Sequence, residues 1–249
     1  MGVRIVNFNT VINMKFLRSL ERLVYPDRCI ICGDVTLEKA PFCKDCIKEF
    51  VSLFSAECPS CGKTAHECAC GGGKKDFLFF YSSPAAKKLI RTLKHSPNKN
   101  AAAFFGDVIA AFYEGRRFDA VAFPPRTAQN VRKYGLDHVK AIAQCYSKAS
   151  GVPLCPALER THRAAEQKLL SAAQRRRNAL GLYTANKEKL GPASRVLLID
   201  DVRTTGSTMN ACALALRKAG VKQITQFTLA YTPPASQKYK IKKNPAQKA

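Results

Sequence analysis

Residues 196–208 hold the densest group of chemically useful side chains in the sequence. Four apolar residues, Val196 to Ile199, precede Asp200 and Asp201; Val202 and Arg203 follow, then Thr204, Thr205, Gly206, Ser207 and Thr208. The hydroxyl-rich turn around Gly206 runs into residues 208–219, an Ala/Leu-rich stretch with helical spacing that stops at Gly220. Backbone N–H groups of such a turn converge on one concavity, the dipole of the next helix adds partial positive charge, and the Thr and Ser hydroxyls are further donors. That arrangement cradles a phosphate. Two carboxylates beside it would repel a bare anion, and a phosphorylated sugar removes the conflict. Its phosphate would occupy the turn, its ribose hydroxyls would donate to Asp200 and Asp201, and a Mg²⁺ ion would bridge hydroxyls and a pyrophosphate.

The elements that position these groups follow from the pattern. Residues 196–199 are too short an apolar run for a helix and come after a Gly-Pro break, so they read as a fully buried strand of a parallel sheet that the two acids end. Strand, turn and helix together resemble the phosphoribosyl pyrophosphate (PRPP) motif of type I phosphoribosyltransferases, with one departure: Arg203 stands where that motif prefers an aliphatic residue. The resemblance implies PRPP binding by Asp200, Asp201, Thr204, Thr205, Gly206, Ser207 and Thr208, with Asp200 and Asp201 as the candidate catalytic pair. An ordinary strand-turn-helix with solvated acids is the alternative.

Eight of the eleven cysteines lie between Cys29 and Cys70. They are spaced as Cys29-x-x-Cys32, Cys43-x-x-Cys46, Cys58-x-x-Cys61 and Cys68-x-Cys70. Two Cys-x-x-Cys knuckles can direct four thiolates at one zinc, and Gly33 and Gly62 follow the second cysteine of their knuckles, where a left-handed backbone suits the turn. The second quartet is less regular, and His66 is an alternative ligand there. All positions are filled by protein ligands with no general base nearby, which points to structural rather than catalytic zinc. Disulfides are the competing reading, disfavoured in a chain with no secretory signal pattern. Cys145, Cys155 and Cys212 sit in apolar contexts and read as core residues.

Along the chain, the pattern predicts a strand over 77–81, helices over 84–94 and 100–114, a strand over 118–123, a helix over 138–149 with Asp137 as N-cap, and a last strand over 223–231. Residues 71–75, Gly-Gly-Gly-Lys-Lys, read as the link between two domains. Arg126 follows the strand at 118–123, at the kind of strand end where doubly wound sheets bind ligands. Residues 158–182 show almost no strand pattern and carry Arg160, Arg163, Lys168, Arg175, Arg176 and Arg177. They read as a flap that would bring cations to a leaving pyrophosphate, or as a nucleic-acid-binding arm.

Lys and Arg number 41 against 18 Asp and Glu, a net charge of +23. The excess is spread along the chain, which favours an anionic partner: nucleic acid first, an anionic surface or phosphate-rich substrate behind it. No apolar run reaches the ~18 residues that would span a bilayer. A cytoplasmic location is expected. Met1 and Met14 are both open as starts.

An N-terminal double zinc ribbon followed by these motifs resembles the ComF (ComFC-like) family of competence proteins. Beyond the PRPP motif and the cysteines, the resemblance rests on Leu89-Ile90-x-x-Leu93-Lys94, on Arg132-x-x-Gly135-x-Asp137, and on Gln167-x-x-Leu170-Ser171 leading to Arg175-Arg176-Arg177-Asn178. Two departures stand out: residues 122–125, Ala-Phe-Pro-Pro, replace the usual Pro-Val-Pro, and Ala164 replaces a Thr. The implied fold is α/β, a type I phosphoribosyltransferase with a doubly wound, mostly parallel sheet and a small N-terminal zinc-ribbon domain. The implied organisation is an N-terminal extension and amphipathic segment (1–25), a double zinc ribbon (26–73), a phosphoribosyltransferase-like domain (74–231) and a disordered basic tail (232–249). Arg126, Arg175 and Arg177 would face pyrophosphate; Zn²⁺ would be structural and Mg²⁺ would accompany PRPP. The implied role is DNA uptake in natural transformation, handling single-stranded DNA beside a helicase-like partner, with phosphoribosyl transfer to an unidentified acceptor as the enzymatic reading. Two alternatives stand beside it: a non-catalytic PRPP sensor or zinc-ribbon DNA adaptor, and a nucleotide-salvage phosphoribosyltransferase unrelated to DNA.

Overall fold

The apolar runs at 77–80, 196–199 and 227–231 become neighbouring strands because only a sheet covered on both faces buries every residue of such a run. The structure is a computed structural model that describes residues 28–36, 41–72, 75–95, 99–127, 129, 131, 132, 135, 137–161 and 181–234. Its elements are α1 (Lys44–Ser52), β1 (Asp76–Phe80), α2 (Pro84–His95), α3 (Lys99–Phe112), β2 (Ala120–Ala122), α4 (His138–Ser150), β3 (Leu158–Arg160), β4 (Tyr183–Ala185), α5 (Lys187–Leu190), β5 (Arg195–Arg203), α6 (Ser207–Lys218) and β6 (Gln223–Tyr231). Four strands form a parallel sheet in the order β1-β6-β5-β2. Among the described residues no helix is long and apolar enough to cross a membrane.

Side chains alternate across the sheet, and the two cores follow that alternation. Leu197 and Ile199 join Phe79, Phe227 and Leu229 in a core completed by α2, α3 and α4. Val196 and Leu198 face the other way, onto Met209, Cys212 and Leu216 of α6. The period of two therefore sends Asp201 towards α2 and α4 and Asp200 towards α6.

Two sequence expectations need correction. The acids do not end β5: it continues to Arg203, because β6 runs alongside and pairs Asp200 with Thr228, Val202 with Ala230 and Arg203 with Tyr231. The segment read as patternless from 158 begins with a strand, β3, which pairs antiparallel with β4. Three residues are too few for a periodic signal, and β3 exists through its partner. Arg163, Lys168 and Arg175 to Arg177 lie outside the described residues, as do 1–27 and 235–249.

The zinc-ribbon segment shares the larger core. Ile30, Ile31, Phe42, Phe50 and Leu53 belong to the same buried cluster as Phe79, Leu89 and Phe105. Phe42 meets Phe104 edge-on at 5.3 Å between ring centres. Cys58, Ala65 and Cys68 pack with Phe77, Phe80 and Tyr231. At the junction, Tyr231 Oη donates to the Cys70 carbonyl at 2.7 Å, and a Cβ on Gly71 would lie 2.7 Å from the same oxygen.

Helices α3 and α4 are tightly packed at Gly106, where a Cβ would lie 2.6 Å from Cys145 Cβ and 2.7 Å from the Tyr146 amide nitrogen. Gly106→Ala gains up to about 1 kcal/mol of helix propensity. It should nonetheless destabilise the protein, by about 1–3 kcal/mol, since backbone atoms must move to admit the methyl. A denaturation midpoint at or above wild type would show that the two helices are not so tightly packed.

Candidate functional site

The turn after β5 is built as an anion cradle. Gly206 is buried with φ +75° and leads directly into α6, so the N–H groups of the first helical turn are exposed beside the Thr204, Thr205, Ser207 and Thr208 side chains. Thr205 Oγ1 and Ser207 Oγ are 2.8 Å apart, and Thr205 Oγ1 accepts from the Ser207 amide at 3.4 Å. Arg203, the departure from the family pattern, lies beneath this turn. Its Nε would be 3.0 Å from a Cβ at Gly206, and its Nη1 donates to Gln226 Oε1 at 2.7 Å. Strain at positive φ and the guanidinium below both exclude a larger residue at Gly206.

Asp201 is held by two elements on one face of the sheet. Its Oδ2 accepts from His138 Nε2 at 2.7 Å and lies 3.1 Å from Lys94 Nζ. Lys94 is in the last turn of α2, and His138 is the first residue of α4, capped by the Asp137 side chain, which accepts from the Lys140 amide. Burial alone would raise the Asp201 carboxyl; the His138 hydrogen bond and then the Lys94 charge outweigh it and hold it below the usual carboxylate range. Asp200 differs. Its Oδ1 accepts from the Asp201 amide at 2.9 Å, but burial, reinforced by the Asp201 charge, pushes its carboxyl up to about 8. Asp201 is thus the firm anion of the pair, and its Oδ1 and the Oδ2 of Asp200 are the atoms left to meet a ligand. These carboxylates also suit a Mg²⁺ carried in by a pyrophosphate, which needs only one or two protein oxygens.

Arg126 is half-buried four residues beyond β2, whose Ala122 pairs with Leu198, so it emerges at the same end of the sheet as the acids. Arg175 and Arg177 lie outside the described residues. Lys94 and His138 were not assigned to the site by sequence. The signal available was slight: Lys94 closes a helix whose other side is apolar, and His138 sits beside the predicted cap Asp137.

The cysteines assemble into two separate quartets. The Sγ atoms of Cys29, Cys32, Cys43 and Cys46 lie within 4.8 Å of one another, as do those of Cys58, Cys61, Cys68 and Cys70. Tetrahedral zinc with Zn–S near 2.3 Å requires S–S edges of about 3.8 Å. The structure has 3.7 Å for Cys32–Cys43 and 3.9 Å for both Cys58–Cys70 and Cys61–Cys68, far beyond disulfide length. Both first knuckles have the same local design: the Gly33 and Gly62 amides donate to the carbonyls of Cys29 and Cys58, and both glycines have positive φ. The Ile31 and Ser60 amides donate to the sulfurs of Cys29 and Cys58. His66 is not in the second quartet; its ring stacks on Phe112. The residues fit two structural zinc ions.

Residues 20–76 match the double zinc ribbon domain family and residues 136–245 the phosphoribosyl transferase domain family. The chain therefore carries a phosphoribosyltransferase domain of parallel α/β architecture behind a double zinc ribbon. Over 230 residues the chain is 24% identical to competence protein ComFC of Streptococcus pneumoniae, covering 81% of this chain and 99% of that one. Competence protein F of Haemophilus influenzae is 28% identical over 228 residues, 82% and 96% of the two chains. The chain is thus similar, over about four-fifths of its length, to two competence proteins of the ComF type. Among solved structures, adenine phosphoribosyltransferase of Thermoanaerobacter pseudethanolicus is 17% identical with a TM-score of 0.38, covering 74% of this chain and 99% of that one.

Two predictions follow from this geometry. Metal analysis of the purified chain should find about two zinc ions, falling to about one in either Cys32→Ser or Cys61→Ser; a content well below one in the wild type contradicts the quartets. The second concerns pH. A carboxyl raised in the folded state contributes stability below its unfolded value near 4 that is lost as pH rises through about 8. Asp200→Asn should therefore match wild type at pH 4 and melt higher at pH 8–9, by ~2–4 °C for each kcal/mol. An equal effect at both pH values would show that Asp200 titrates normally.

Proposed function

We propose that the chain is a PRPP-binding, phosphoribosyltransferase-like protein that acts in DNA uptake during natural transformation, in the cytoplasm, where it handles single-stranded DNA. The observation that carries the PRPP half is the pairing of an anion cradle at Gly206 with a carboxylate, Asp201, fixed by His138 and Lys94 one strand-end away. The 5′-phosphate would take the N–H groups and hydroxyls of Thr204 to Thr208, and the ribose hydroxyls would donate to Asp200 and Asp201. Arg126, with Arg175 and Arg177, would face the pyrophosphate, whose charge Mg²⁺ would neutralise. With the ribose so held, Asp201 would also stabilise positive charge developing on the sugar ring if pyrophosphate leaves.

The DNA half is supported by the relatives named as competence proteins and by the net charge of +23. Two filled thiolate quartets suit a reducing compartment. A sensor that holds PRPP without transfer is favoured by one observation: Asp201 is already engaged by two partners, as in a residue built to hold a ligand.

Transfer and sensing are separated by incubating the zinc-loaded chain with PRPP, Mg²⁺ and a panel of bases and single-stranded DNA while following pyrophosphate. Release that exceeds background and is lost in Asp201→Asn establishes transfer. PRPP recovered intact under every condition leaves the sensor as the function of the site.

A further inference from the structure

Beside α2 lies a groove of about 550 Å³ that the PRPP reading does not use. Its walls carry Lys87, Lys88, Arg91 and Lys94, and Tyr81 contributes aromatic surface. None of the residues lining it is acidic. The cations share one face of α2 because they recur at helical spacing, opposite the buried Ala86, Leu89, Ile90 and Leu93. A row of cations beside an aromatic ring fits a single-stranded phosphodiester chain, whose backbone follows the charges while a base lies on the ring. An anionic membrane suits it less, since the apolar face of α2 is spent on the core and offers nothing to insert. The neighbouring Phe77, Phe79 and Phe80 are fully buried, which leaves Tyr81 as the ring of β1 and its end that reaches the groove.

Lys94 belongs to two sites at once: it lines this groove, and its Nζ is 3.1 Å from Asp201 Oδ2. We propose that the α2 groove binds single-stranded nucleic acid and that Lys94, shared between groove and Asp201, couples this binding positively to PRPP. The coupling rests on the PRPP reading above. A phosphodiester in the groove draws Lys94 from Asp201 Oδ2, and ribose hydroxyls donating to Oδ1 take up part of the carboxylate charge that Lys94 faces. Each ligand alone must weaken the same ion pair, and the second to arrive finds it already weakened. Linkage makes the effect reciprocal.

The test is fluorescence anisotropy of a labelled oligothymidylate with the full zinc-loaded chain, alongside melting curves with PRPP and Mg²⁺. Saturating PRPP should tighten the oligonucleotide about fivefold, at the lower end of measured couplings. In the absence of PRPP, Asp201→Asn should tighten it comparably in the wild-type background and not in Lys94→Met. Lys87→Glu and Arg91→Glu should each weaken it, and neutralising either should flatten the salt dependence by about 0.7. If PRPP raises the melting temperature while oligonucleotide affinity is unchanged, the coupling is wrong and the PRPP reading stands. If PRPP does not raise the melting temperature, that reading has failed, and the Asp201→Asn arm alone decides whether Lys94 is shared; no tightening there overturns the sharing. Loss of binding to phosphatidylglycerol vesicles in the Lys87 and Arg91 variants, with oligonucleotide affinity intact, would assign the groove to a lipid surface and overturn the proposal.

Discussion

The site depends on keeping one carboxylate charged where burial opposes it. Asp201 lies inside a parallel strand, nine-tenths removed from water. An unpaired carboxylate there would take up a proton or destabilise the fold. His138 and Lys94 prevent this, and they can do so only because α4 begins and α2 ends at the same face of the sheet. The positions of both helices are tied to this contact: α4 is capped by Asp137 just before His138, and α2 is anchored by Leu89, Ile90 and Leu93 just before Lys94. His138 Nδ1 has no partner among the described residues, so the ring is oriented by packing and by its bond to Asp201.

The two acids look alike in sequence and are opposite in chemistry. Strand alternation sends Asp201 to the face that supplies His138 and Lys94 and sends Asp200 to the α6 side, where burial and its neighbour's charge raise it. One acid is held as an anion, and the carboxyl of the other is pushed up to about 8. The cysteine-rich segment packs into the same frame. Cys46 and Phe50 of α1 share a core with Phe79 and Phe105, so the segment bearing the first cysteine quartet packs into the core of the helices that carry Lys94 and His138.

Much of this was legible in the residues. Helices α2 and α4 and strands β1 and β6 follow from periodicity to within one or two residues, and knuckle spacing gave the first cysteine quartet; the second, where His66 was an alternative ligand, is completed by Cys70 only in the fold. The extension of β5 through the acids was hidden, since local sequence does not show that β6 runs alongside to Tyr231. Strand β3 was hidden for the same reason. The partners of Asp201 come from positions 63 and 107 residues earlier, and only the crossing of helices over the sheet brings them together. Arg203 read as a defect in a motif. In the structure it fills the space under Gly206 and is tied to Gln226, a pairing that depends on the β5–β6 register.

In the proposed function, the turn at Gly206 and the carboxylate of Asp201 form one binding site for PRPP. Calorimetric titration of PRPP into the zinc-loaded chain with Mg²⁺ tests it most directly. One PRPP should bind per chain, with affinity reduced about tenfold or more in Gly206→Ala and in Asp201→Asn, each loss corresponding to about 1.4 kcal/mol or more. No saturable binding by the wild type, or affinity unchanged in both variants, would contradict the account.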